Sequence, residues 1–123
     1  MIFVFGSNLS GWHKRGAALT ARVRYGAIDG MGEGLFGRSY AIPTKDRHLV
    51  ALPEETIEEY VATFKLVAAS MPDIKFRVTA IGTGYAGFSH FEIAPMFRDS
   101  PLNCEFDARW APYLGSGYEY RLV

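Results

Sequence analysis

Three stretches of this sequence combine side chains and glycines in ways that can hold an anion or attack a carbonyl carbon. The first is Gly82-Thr83-Gly84-Tyr85-Ala86-Gly87-Phe88. Its glycines permit positive φ and close backbone approach, so successive N–H groups can converge on an anion. A diphosphate suits such a loop, with Tyr85 or Phe88 packing on a ribose or base. An ordinary turn from strand to helix accounts for the same residues equally well, because short glycine patterns are weakly specific. The loop lacks the GK[ST] ending of a Walker motif, and it does not follow the first strand as a Rossmann GxGxxG would. The second stretch is Pro43-Thr44-Lys45-Asp46-Arg47-His48. A lysine just past a strand end can touch a phosphate or act as a nucleophile, or it can be solvated and paired with Asp46. The third stretch runs from Gly6-Ser7-Asn8 to Gly16-Ala17-Ala18. Asn8 can both donate and accept, which suits a pair of ribose hydroxyls, and it can equally bond its own turn. Gly16, Ala17 and Ala18 leave room for a ligand to lie against a helix N-terminus. His13 and His48 have no assigned role, and His90 is expected to be exposed in the first turn of a helix. No Cys, His and carboxylate set has metal spacing, and no GxSxG signature is present.

These loops need elements to position them. Ile2 to Phe5 is an apolar run ending at Gly6-Ser7-Asn8, a strand entering a loop. Ala17 to Tyr25 suits a helix with Ala18, Ala21 or Arg22, and Tyr25 on one face. The glycine-rich stretch from Gly26 to Gly37 reads as a mobile or tightly turning surface loop. Ser39 to Ile42 is a second strand, expected to stop at Pro43, which lacks an N–H for the ladder. After Pro53, a residue favoured in a first helical turn, Ile57, Tyr60, Val61, Phe64, Val67 and Ala68 recur at spacings of three and four. That helix ends at Met71-Pro72. Ile57, Val61, Phe64 and Val67 are expected to face a sheet containing Phe3, Phe5, Ile42, Val78 and Ala80. Lys75 to Ile81 alternates as a third strand. Ser89 and Glu92 have capping-box spacing, so a helix starting at Ser89 is expected to add a positive dipole end near the glycine loop. Strand-like pieces follow at Leu102 to Phe106 and Tyr118 to Val123, with a turn at Gly115-Ser116-Gly117. Alternation of strand and helix argues for one α/β domain over residues 1–123, a mixed sheet of substantial parallel character flanked by helices. In such sheets ligands sit beyond the carboxyl ends of the strands, where all three loops emerge.

The whole chain limits the partners. Lys plus Arg equals Asp plus Glu at 13 each among 123 residues, so a broad nucleic-acid surface is not indicated. The single cysteine, Cys104, cannot form an internal disulfide and suits a reducing compartment. No membrane span or signal peptide is visible, so a cytoplasmic location is expected.

FVFGSN, RGAALTARVRYG, SYAIPTKD and FRVTAIGTGYAGFSHFEIAPMF together resemble the macrodomain family. Their order and spacing are most similar to the branch of DNA ADP-ribosyl glycohydrolase antitoxins and terminal ADP-ribose protein glycohydrolases. The likeness runs from about Ile2 to Phe97. Its most specific part pairs the PTK strand end with the IGTG loop. The resemblance implies a compact macrodomain-like fold that binds ADP-ribose, free or on a protein or nucleic acid, without a cofactor or metal. It places Asn8 by the distal ribose, with Gly16, Ala17 and Ala18 beside it. Thr44 stands at the strand end, Lys45 at the catalytic position, and residues 82–88 around the diphosphate and distal ribose. An unprotonated Lys45 amine would attack an opened ribose aldehyde, which requires a pKa lowered by burial or by a cation such as Arg47. Where protein-directed relatives carry an aspartate, this chain has Ala86. Members with further strands before the asparagine loop imply that this chain is a compact variant. A non-catalytic ADP-ribose or NAD-metabolite sensor and an ADP-ribose 1″-phosphate phosphatase share the same pocket. The resemblance assigns nothing to Arg98–Val123, including Asp99, Asp107 and Trp110, and the sequence leaves the oligomeric state open.

Overall fold

In the computed structural model, residues 1–122 are described, so Val123, the end of the strand expected from Tyr118, lies outside the described residues. The elements follow the order β1 (Ile2–Asn8), α1 (Gly16–Arg24), β2 (Gly34–Phe36), β3 (Ser39–Lys45), α2 (Glu54–Ser70), β4 (Phe76–Val78), α3 (His90–Ile93), β5 (Cys104–Asp107), α4 (Ala111–Leu114) and β6 (Glu119–Arg121). The six strands form one sheet in the order β2-β3-β1-β4-β5-β6. Only β2 is antiparallel to its neighbour. The architecture is α/β: a mixed, mostly parallel sheet with helices on both faces.

Alternation along the strands decides which helix covers which face. Ile2 and Val4 of β1 join Tyr40, Ile42, Phe76 and Val78 against Ile57, Val61, Phe64 and Ala68 of α2. Val67, Tyr60 and Ala80 pack at the edge of that core. Phe3 and Phe5 do not face α2 as expected. They point to the other face and pack with Ala18 and Ala21 of α1, because a strand's odd and even side chains diverge. Over β4, β5 and β6 that second face carries charge: Arg77 to Glu105 at 2.8 Å and Lys75 to Glu119 at 2.6 Å.

Several element ends move from where sequence puts them. β1 continues through Gly6-Ser7-Asn8, paired with β3 as far as Asn8↔Lys45. β3 likewise continues through Pro43. Its partner β2 pairs only with Ser39–Ala41, so at Pro43 one side of β3 has no strand neighbour and the missing N–H interrupts no ladder. The stretch 26–37 contains β2 and packs closely under the asparagine loop: a Cβ on Gly32 would lie 2.1 Å from the Asn8 carbonyl oxygen. β4 is cut short because Thr79 spends both its N–H (3.1 Å) and its Oγ1 (2.8 Å) on the Val4 carbonyl, and Ile81 N–H turns back onto Thr79 O at 2.7 Å. Pro53 stands at the N-cap of α2, with Glu54 and Glu55 in the first turn, where they complement the dipole.

The Ser89–Glu92 capping box forms, with Glu92 N–H on Ser89 Oγ at 3.1 Å and Ser89 N–H on Glu92 Oε1 at 2.9 Å. Yet α3 is one turn of four residues before a 3₁₀ segment, Ala94–Phe97. One turn sums too few peptide dipoles to supply the expected anion-attracting end. Beyond Arg98, Trp110 is fully buried and donates from Nε1 to His90 Nδ1 at 2.9 Å, which makes His90 a half-buried acceptor and not an exposed residue. Asn103, before β5, caps the end of α2 by donating to the carbonyls of Ala68 (3.0 Å), Met71 (2.9 Å) and Ile74 (2.9 Å). Among the described residues no helix is long and apolar enough to cross a membrane.

Candidate functional site

Because β1, β3 and β4 run parallel, the loops that leave them open at one end of the sheet. Between these loops and α1 lies a cavity of about 780 Å³. Asn8, Gly16, Ala17, Ala18, Thr44, Lys45, Gly82, Thr83, Gly84, Tyr85 and Ala86 all line it. Gly87 and Phe88 do not. Phe88 turns inward against the core, and Gly87, at φ +81°, closes the turn by donating to Gly84 O at 3.0 Å.

The glycine loop folds on itself in a way that leaves amides over. Thr83 N–H bonds to Ala80 O and Phe88 N–H to Gly82 O. Among the described residues, the N–H groups of Gly84, Tyr85 and Ala86 have no acceptor. The first turn of α1 presents three more, from Gly16, Ala17 and Ala18. Arg15, at its N-cap, supplies no side-chain cap, and helical N–H groups of a first turn lack internal partners. The two runs adjoin: a Cβ on Gly16, at φ +55°, would lie 3.5 Å from Tyr85 Cε2. Two sets of unpartnered amides therefore line one cavity, the kind of surface that binds phosphate oxygens.

Of the two parts its side chain allowed, Asn8 takes the turn-forming one. It is buried; its Oδ1 accepts from Ser10 Oγ at 2.7 Å and from Trp12 N–H at 2.9 Å, while its Nδ2 donates to Trp12 O at 2.9 Å. The amide thus shapes the loop that carries Trp12 and Arg15 to the cavity, and little of it is left for a ribose. Thr44, also buried, ties β3 to β1 by donating to Ser7 O at 3.2 Å.

Lys45 is half-buried at the end of β3 and makes no ion pair with Asp46 or any other described carboxylate. Asp46 instead accepts from the N–H groups of Val50 (3.0 Å) and His48 (2.8 Å). Those bonds, the one from Val50 first, hold its carboxyl below the ordinary range. The turn they brace sets Leu49 at φ 65°, on the cavity wall. Two basic side chains approach the Tyr85 ring, with the Arg15 guanidinium 5.4 Å and Lys45 Nζ 5.8 Å from its centroid. Arg15 also lies 5.9 Å from the Trp12 ring. Sequence reasoning missed Trp12 and Arg15, although an aromatic and a cation inside the Asn8–Gly16 loop were visible.

The cavity extends further than the three loops. Phe3, Tyr25, Arg77, Thr79, Asp107, Arg109 and Arg121 continue its lining across the charged face of β4–β6. Asp107 is buried and held by Arg109, from Nε at 3.0 Å and Nη2 at 2.7 Å. That guanidinium, ahead of the Arg109 N–H, keeps the Asp107 carboxyl below its usual range. Among the described residues no group of His, Cys, Asp and Glu is placed to hold a metal ion. Comparison of the chain with protein-family models, with curated proteins and with solved structures found no match.

Proposed function

We propose that this chain binds ADP-ribose or a closely related NAD-derived nucleotide, in the manner of a macrodomain, and hydrolyses an ADP-ribosyl linkage through Lys45. One observation carries the binding half: the unpartnered amides of Gly16–Ala18 and of Gly84–Ala86 line a single cavity. Six N–H groups with the Arg15 guanidinium beside them suit a diphosphate better than any neutral ligand. The span supports a dinucleotide. Lys45 on β3 and Arg121 on β6 stand four strand spacings apart, about 19 Å. A mononucleotide would leave most of such a trough to water.

With the diphosphate on the amides, the distal ribose reaches Lys45 and the adenosine lies toward β4–β6. The unprotonated Lys45 amine would then attack C1″. The C1″–acceptor bond breaks, the leaving acceptor atom and the opened ring oxygen each take one amine proton, and a C1″–Nζ imine forms. Water adds across the imine, returns the amine and frees ADP-ribose. Ala86 supports a second reading, a binding module without turnover, because it leaves no carboxylate on that side of the loop. The acceptor, protein or nucleic acid, is open in both. The buried Cys104 and the lack of other cysteines suit a reducing compartment such as the cytoplasm.

Lys45→Arg and Lys45→Ala separate the two readings, assayed on ADP-ribosylated DNA and ADP-ribosylated protein, with calorimetric titration of ADP-ribose, NAD and AMP alongside. Arginine keeps the charge but cannot deprotonate near neutral pH. A catalytic Lys45 requires both variants to lose hydrolysis while ADP-ribose still binds. If Lys45→Arg retains hydrolysis, the lysine is only an anion contact. If the native chain binds ADP-ribose and releases none from either substrate, it is a binding module.

A further inference from the structure

The end of the cavity beyond the adenosine position is too cationic for a neutral nucleoside. Three arginines, Arg77, Arg109 and Arg121, line it with one carboxylate, Asp107. Arg109 spends Nε and one terminal nitrogen on Asp107, and Arg77 spends only Nε, on Glu105. The remaining terminal nitrogens of both make no hydrogen bond among the described residues, and Arg121 has no acidic partner there. Asp107 stands in register with Arg121 and is followed directly by the segment bearing Arg109. The free guanidinium faces therefore gather across the ends of β5 and β6, next to β4. Asp107 and Glu105 act as anchors that orient two of the guanidiniums; they leave no negative charge over to cancel Arg121.

We infer that this end is a phosphate subsite, and that the preferred ligand carries a second phosphate on its adenosine ribose, at the 2′ or 3′ hydroxyl. This rests on the ADP-ribose reading of the same cavity and specifies its ligand. A phosphomonoester is close to a dianion at neutral pH, and guanidinium N–H groups match its oxygens in pairs. An unphosphorylated adenosine would leave the Arg121 guanidinium and the remaining terminal nitrogens of Arg77 and Arg109 with only water to accept from them. Placed with its diphosphate on the loop amides, the nucleotide has its adenosine ribose one to two strand spacings from β5 and β6, about 5–10 Å. An added phosphate and the length of an arginine side chain together close that gap.

The experiment is calorimetric titration of the whole chain with ADP-ribose, ADP-ribose 2′-phosphate and ADP-ribose 3′-phosphate at fixed ionic strength, repeated with Arg121→Ala. Arg121 is exposed and on the edge strand, so its loss leaves the core intact. At least one phosphorylated ligand should bind about tenfold tighter than ADP-ribose, the scale of a charge-assisted hydrogen bond. Arg121→Ala should erase that preference and keep ADP-ribose affinity within about twofold, the scale of a surface change. ADP-ribose binding as tightly as both phosphorylated forms would overturn the inference and leave the ADP-ribose reading standing. So would an equal loss for all three ligands in Arg121→Ala, which would make Arg121 a contact to the base. No binding of any of the three overturns both.

Discussion

Replacing Gly84 by valine puts a branched side chain where no atom beyond the flanking residues lies within 4 Å of the Cβ position. Gly84 is not among the glycines held at positive φ, so valine meets no backbone strain there. Removing glycine's freedom from the unfolded chain stabilises by about 0.4–1 kcal/mol at such sites. Folding should therefore be unchanged or slightly improved. Binding should not. The open space around Gly84 is the cavity itself, and its amide is one of three in that loop without a partner. Methyl groups at that position would keep an anion from approaching the loop. Hydrogen bonds to a charged group contribute about 1.5–3 kcal/mol each, so losing one weakens ADP-ribose about ten- to hundredfold. Gly82→Val is the control with the opposite signature: at φ +77° its Cβ would stand 3.2 Å from Ile93 Cγ1, so it should lower the melting temperature. Calorimetry and a thermal melt on both variants decide the matter. A Gly84→Val protein that melts like the native chain and binds ADP-ribose with unchanged affinity would refute the assignment of the loop.

Two further outcomes test the frame around the site. Phe64 is fully buried and packs edge-on against Tyr40, Phe76 and Phe97 at centroid distances of 5.2, 5.6 and 6.0 Å, so Phe64→Ala should cost about 3–5 kcal/mol in urea unfolding; a loss below about 1 kcal/mol would mean that the face of α2 is wrong. Burial pushes the Cys104 thiol up to about 12, and burial followed by Glu33 repulsion pushes the Tyr40 hydroxyl up to about 12. Both groups hold their protons more tightly when folded, so their stabilisation is whole below the unfolded thiol's pKa, near 9, and drains away as pH rises toward 12. The slope approaches about 1.4 kcal/mol per pH unit for each group. Urea midpoints at rising alkaline pH should fall, and fall less steeply in Cys104→Ala; identical slopes in the two proteins would show that the thiol takes no part.

Much of the frame was legible in the sequence because it depends on local periodicity. The stripe from Ile57 to Ala68, the apolar run at Ile2 and the Ser89–Glu92 box each state their structure within one or two turns of chain. What misled were features whose meaning depends on a distant partner. Pro43 ends a strand only where a neighbour needs its N–H, and β2 stops short of it. The glycines of 26–37 look like slack until Gly32 is seen under the Asn8 carbonyl. Phe3 and Phe5 were assigned to α2 although their alternation with Ile2 and Val4 already required the opposite face.

The cavity was legible in its location, at the ends of β1, β3 and β4, and less so in what lines it. A sequence announces side chains, and the surface offered here to an anion consists largely of backbone N–H groups. Asn8, the most conspicuous polar letter, turns its amide onto Ser10 and Trp12 and so becomes scaffolding. Ala17, Ala18 and Ala86, which carry no chemistry of their own, supply three of the unpartnered amides. Glycines and alanines at the loop ends were the only trace of this in the chain, since small residues let a ligand reach the backbone. The arginines gave still less warning. Arg77, Arg109 and Arg121 are scattered over 45 residues of sequence, and only the parallel order β4-β5-β6 brings them to one wall. Charge neutrality of the whole chain hid them, because the acids that balance the total are mostly elsewhere: Glu54, Glu55, Glu58 and Glu59 sit on α2, which packs on the opposite face of the sheet. A net charge of zero therefore excludes a uniformly basic surface and says nothing about one cavity. Here four of the acids lie across the sheet on α2, and beside the cavity Glu105, Asp107 and Glu119 each pair with a cation and leave Arg121 without an acidic partner among the described residues.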